Sequence, residues 1–167
     1  MRINQHGVQP KALLIGVGNE YRGDDGVGIF IVRHPGLTLL PGIHVEEEMG
    51  EGSRLMELWK DAGTVFLFDA VRSGNRPGSI YRFDAVKEKL PRELFSVSTH
   101  SFGVLEAIAL SRALNQLPGT LIIFGIEGRN FDPGKGLSKV CEQAALEVIR
   151  SVRREIRSSG FLFVNRH

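Results

Sequence analysis

The chain has 167 residues, 42% of them apolar and 24% charged. This is the composition of a soluble globular protein, long enough to bury one good core and short for two. Its 21 basic against 19 acidic residues leave a net charge of +2, which argues against nucleic acid as a partner, because such binders usually show a basic stripe. The single cysteine, Cys141, excludes an intramolecular disulfide and a Cys-rich zinc site.

No apolar run approaches the ~18 residues of a membrane span, and the opening MRINQHGVQPK lacks the apolar core of a signal peptide. The expectation is one cytoplasmic domain over residues 1–167, with a core of about 11–156 and no membrane partner.

In chain order, Ala12–Gly18 (ALLIGVG) is a short apolar run ending in glycines and reads as a strand buried on both faces. GVGNEYRGDDGVG follows. Val27–Arg33 reads as a buried helix that Asp24 or Asp25 can cap. Pro35–Gly36 and Pro41–Gly42 are turn signals, and Ile43–Glu47 is a second, less apolar strand. Ser53 can cap a helix that carries Leu55, Leu58, Trp59 and Ala62 at helical spacing and that Gly63 closes.

Thr64–Phe68 (TVFLF) is a third buried strand, ending on Asp69. Gly78–Phe83 alternates after a turn, as an edge or antiparallel strand does. Ser101–Leu117 carries Leu105, Ile108 and Ala109 on one helical face, and Thr120–Ile126 is another buried strand. Leu137–Ile156 is the longest helix, with an apolar stripe of Val140, Cys141, Ala144, Ala145, Val148, Ile149 and Val152. In that setting Cys141 reads as a small buried apolar residue. Arg150, Arg153, Arg154 and Arg157 read as the solvated face of the same helix. The Phe161–Val164 tail is apolar and strand-like.

Buried strands alternating with helices predict an α/β fold: a three-layer αβα arrangement, with a twisted, mostly parallel sheet of about five strands and helices on both faces. Ligands of such sheets sit beyond the carboxyl ends of the strands. There the sequence delivers Asn19, Glu20, Asp24 and Asp25, then Glu46–Glu48, Asp69, His100 in the loop STHSFG, and Glu127. Two carboxylates and a histidine from three segments are a chemically reasonable metal site with positions left open for water or substrate. Each also has a plain structural reading: a helix cap for the aspartate pair, a turn residue for Asp69, a solvated ring for His100.

A nucleotide cradle competes for the first loop. Its glycines begin like a dinucleotide fingerprint, but Tyr21 stands where the third glycine belongs. Two aspartates at a helix entry also oppose a pyrophosphate there. The nucleophile-elbow serine, HExxH and Walker lysine patterns are all missing.

Four segments carry a resemblance. GVGNEYRGDDGVG, FLFDAVRSG, STHSFG and GIEGRNFDPGKGLS, in this order between about Lys11 and Ile156, resemble the signatures of the nickel–iron hydrogenase maturation endopeptidases. The resemblance implies a twisted, mostly parallel sheet between helices and three functional residues, Asp25, Asp69 and His100. It puts Asp25 rather than Asp24 at the first position and leaves Asp24 as a helix cap. It further implies a metal-dependent peptidase whose substrate and partner is a hydrogenase large-subunit precursor already loaded with nickel.

The enzyme would remove a short C-terminal extension by cutting after a basic residue. The three residues would recognise the nickel carried by the substrate, and the enzyme would hold no cofactor of its own. The acid run Glu46–Glu48 is heavier than the resemblance leads one to expect and could meet a basic substrate segment. A monomer is expected. A non-cleaving module that holds a nickel-bearing partner and a nucleotide-binding α/β protein are the alternatives.

Overall fold

A computed structural model describes residues 11–95 and 99–159, with side chains for all of these except 99–102. The Phe161–Val164 tail lies outside the described residues. Five strands form one sheet in the order β2-β1-β3-β5-β4. They are β1 (Ala12–Val17), β2 (Ile43–Glu48), β3 (Thr64–Val71), β4 (Ile80–Asp84) and β5 (Thr120–Glu127). The first four in spatial order run parallel, and β4 closes one edge antiparallel to β5. β1, β3 and β5 are the inner strands, and their nearly continuous apolar sequences are the ones a sheet covered on both faces requires.

Alternation along the strands divides the core in two. On one face, Leu14, Phe66, Phe68, Ile122 and Phe124 pack with the helices α1 (Val27–Arg33), α2 (Pro35–Thr38) and α6 (Lys139–Ser158). On the other, Leu13, Ile15, Leu67, Leu121 and Ile123 pack with α3 (Gly52–Trp59), α4 (Arg92–Phe95) and α5 (Thr99–Ala113). The α6 stripe is buried at Cys141, Ala144, Ala145, Val148, Ile149, Val152 and Ile156, whereas Val140 is only partly so. The four arginines are exposed on the opposite side of α6, as a solvated face should be.

Several local expectations change. Ser53 does not cap α3: Glu51 stands at the cap, and the Ser53 hydroxyl donates to its carboxylate. That helix ends at Trp59, short of Gly63. On α5 the buried face is Val104, Ala107, Ile108 and Ser111, and Ala109 is exposed. The Trp59 indole donates to the Ser111 hydroxyl at 3.0 Å in the core, which fixes the rotation of α5 against α3. The helix stops before Leu117, because Asn115 turns left-handed with φ 54. β3 runs past Phe68 to Val71, which puts Asp69 inside a strand and not in a turn.

Two glycines set how closely α1 approaches the sheet. A Cβ on Gly28 would fall 2.4 Å from the Phe68 carbonyl oxygen and 2.5 Å from that of Val17. Gly18, at φ +137, passes so near Asp25 that any Cβ would overlap its carbonyl. The first loop is therefore pressed onto the carboxyl ends of β1 and β3.

Candidate functional site

β1 ends at Val17, and the chain crosses the carboxyl edge of the sheet before a single 3-10 turn, Gly23–Gly26, leads into α1. Asp24 and Asp25 are buried in that turn, at 0% and 5% exposure. Neither caps the helix. Gly26 stands at the α1 cap, with no side-chain hydrogen bond.

The Asp24 carboxylate instead reaches across to the loop between β5 and α6. It accepts from the backbone amides of Arg129 (2.7 Å), Asn130 (3.0 Å) and Ser138 (2.7 Å), and from the Ser138 hydroxyl (2.8 Å). Burial opposes its ionisation, but the amides of Arg129, Ser138 and Asn130 and the Ser138 hydroxyl outweigh it and hold the carboxyl below its ordinary value. The expected cap is thus a clamp between two loops more than a hundred residues apart. The missed signal was Ser138, a natural N-cap residue whose amide and hydroxyl both turn to this distant acid.

Asp25 faces the other way. One of its carboxylate oxygens accepts from the Asn19 amide at 3.1 Å, and its carbonyl accepts from the same group. The 3-10 turn packs against β3. Within β3, Leu67 and Val71 belong to the core shared with α3 and α5, so strand alternation aims Asp69, 1% exposed, at that same face.

His100 lies in the first turn of α5, not in a loop ahead of it. That turn reaches the carboxyl edge too: a Cβ on Gly103 would overlap the Gly50 carbonyl, just beyond the end of β2. Backbone and strand pattern therefore bring Asp25, Asp69 and the start of the His100 helix to one edge of the sheet, and Asp69 and α5 to one face of it. Among the described residues no three His, Cys, Asp or Glu side chains gather as an ion-holding group, and the His100 side chain falls outside them.

The other acids of this edge are engaged in structure. Glu127, 2% exposed, accepts from the Ser73 and Gly74 amides and the Ser73 hydroxyl, and so shapes the turn after β3. Glu47 pairs with Arg33 and Glu48 with Arg54, while Glu46 meets His44. The acid run is therefore matched internally rather than held open for a basic segment. Glu20 pairs with Arg33 and Lys135, and the Arg33 guanidinium foremost holds its carboxyl below the usual range. Cys141 is buried, and desolvation pushes its thiol far up, reinforced by Asp24, so it stays neutral and unreactive. No helix among the described residues is long and apolar enough to cross a membrane.

Comparison with known proteins gives this geometry a context. Residues 50–155 match the family model described as hydrogenase maturation protease. The chain is similar to the hydrogenase expression/formation protein HupD of Thiocapsa roseopersicina, 28% identical over 129 residues, which are 74% of this chain and 57% of that one. It thus spans little more than half the length of that relative. It is also similar to the hydrogenase 2 maturation protease of Escherichia coli K12, 26% identical over 156 residues and covering 90% of this chain and 93% of the other. Its fold is that of the solved hydrogenase maturating endopeptidase HybD from E. coli, with a TM-score of 0.71 at 22% identity, over 89% and 93% of the two chains.

Proposed function

The chain belongs to the hydrogenase maturation protease family, and from that premise we propose that it is an endopeptidase that removes the C-terminal extension of a nickel-loaded [NiFe] hydrogenase large-subunit precursor. The observation that carries this reading is the family match over residues 50–155, a stretch that holds both β3 with Asp69 and the start of α5 with His100. The delivery of buried Asp25 to the same edge by the tight 3-10 turn supports it from outside the matched stretch.

In this reading Asp25, Asp69 and His100 recognise the nickel of the substrate. Oxygen and imidazole donors suit such an ion, and three ligands supplied from one side leave the rest of its coordination to the precursor. The ion held between the two proteins positions the scissile peptide. A water then adds to the carbonyl carbon, deprotonated either through the ion or by one of the two carboxylates, and the nitrogen of the extension leaves with a proton. Asp24 is the positioning residue of this reading: its clamp keeps the 3-10 turn, and with it Asp25, in place. The protein works as a monomer on a protein surface, and exposed Tyr21 and Met49, just past β1 and β2, offer that surface apolar contacts.

The test is incubation of the purified protein with nickel-loaded and nickel-free precursor, followed by intact mass. Loss of a C-terminal peptide from the loaded precursor alone is the expected result, and Asp25→Asn should abolish it. Binding of the precursor without any cleavage would replace the peptidase with a module that only holds its nickel-bearing partner.

A further inference from the structure

Close in sequence to Asp25 and Asp69, the same sheet edge holds a concave feature. A cleft of about 420 Å³ is lined by Arg22, Arg72 and Arg129, with Phe131, Glu127 and Asp132 among its other walls. The three arginines come from three loops: Arg22 beyond β1, Arg72 directly after β3, and Arg129 just after β5. All three are exposed, and among the described residues none of their guanidiniums forms an ion pair or a side-chain hydrogen bond. Arg72 only lies over the Phe131 ring, 5.5 Å from its centroid.

The cleft has a fixed floor. Glu127 is buried and committed to the Ser73 and Gly74 amides. The Arg129 and Asn130 backbone amides are held by Asp24, and the Asn75 side-chain amide donates to the Ser73 and Tyr81 hydroxyls. With these floor amides committed inward, the charged groups that line the cleft at its exposed positions are the three guanidiniums against one carboxylate, Asp132. Guanidiniums suit carboxylates because their forked donors take them bidentately. Three guanidiniums on separate loops exceed what one carboxylate occupies, so the fit is to a stretch of chain bearing more than one acid.

The position ties this cleft to the chemistry. Arg22 precedes Asp25 by three residues and Arg72 follows Asp69 by three. The Asp24 clamp and the backbone bonds from Gly23 to Gly134 and from Asp24 to Asn130 join the turn of Asp25 to the loop of Arg129.

We propose that this arginine cleft is a docking subsite for an acidic peptide segment of the precursor, which is held there while the scissile bond lies at Asp25 and Asp69. The proposal rests on the endopeptidase reading. It assigns to Arg22, Arg72 and Arg129 a share in substrate affinity and none in bond cleavage.

Steady-state cleavage of nickel-loaded precursor, with KM and kcat read separately at low and high salt, tests it. Arg72→Glu with Arg129→Glu should raise KM about tenfold, leave kcat within about twofold, and flatten the rise of KM with salt. Arg150→Glu with Arg154→Glu, on the outer face of α6, makes the same change in net charge and should leave KM unaltered. The milder pair Arg72→Gln with Arg129→Gln should fall between wild type and the reversal, and equal melting temperatures exclude a folding defect. A reversal that leaves KM at the level of the α6 control, or that lowers kcat at constant KM, overturns the docking subsite while the peptidase stands. A wild-type protein that cleaves nothing overturns the peptidase and the subsite together.

Discussion

Asp24 and Asp25 are neighbours of identical chemistry with opposite fates. Asp24 is surrounded by four donors from the β5–α6 loop, all satisfied only while it is ionised. Asp24→Asn keeps the shape but replaces one acceptor by a donor facing the amides, and should cost about 2–3 kcal/mol in urea unfolding. The pH dependence has a definite sign. The folded carboxyl lies below its ordinary 3.8, so the unfolded chain takes up the proton more readily. The stabilisation is full above that value and is lost as pH falls below it through the folded value. Stability measured on the acid side should fall more steeply in wild type than in Asp24→Asn. Parallel acid limbs in the two proteins would refute the clamp.

At the scale of elements, the contact between α1 and the sheet decides where the first loop goes. Gly28 lets the helix lie against the backbone of β1 and β3, with carbonyl oxygens at 2.4 and 2.5 Å from the place a Cβ would take. Backbone atoms cannot step aside as a flexible side chain can. Gly28→Ala should therefore destabilise by about 3 kcal/mol, roughly 6–12 °C in melting temperature. It should also lower cleavage, because α1 and the turn of Asp25 move together. A melting temperature within two degrees of wild type would show that the helix can lift at little cost (about 0.5–1 kcal/mol by the same scaling).

For the whole molecule, the proposed function makes the metal part of the substrate. Chelator added to the protease alone should leave its melting temperature unchanged, since a ligand that does not bind the folded state cannot stabilise it. Nickel-free precursor should remain uncut by the same preparation. A fall in melting temperature on chelation, restored by nickel, would instead mean that the folded protein binds its own ion. Both faces of the sheet are closed by helices packed on separate cores, so the carboxyl edge is where the inner strands offer their ends to a partner.

The sequence by itself determined the five strands, the four longer helices and the mostly parallel sheet, because unbroken apolar runs and helical stripes leave few other ways to bury these side chains. It did not show the short helices Pro35–Thr38 and Arg92–Phe95, and it left the Gly78–Phe83 strand as either an edge or an antiparallel one. The resemblance carried by four ordered segments put forward Asp25, Asp69 and His100 as the functional residues of the proposed function. Only the tertiary structure decided that Asp24 clamps the β5–α6 loop and caps no helix. Its four donors lie more than a hundred residues away, beyond the reach of any local pattern. It likewise decided that Glu47 and Glu48 are matched by Arg33 and Arg54, and that Arg22, Arg72 and Arg129 share one cleft. Charges scattered singly along a chain carry no periodicity. They become a site only when a parallel sheet brings the ends of its strands to the same edge.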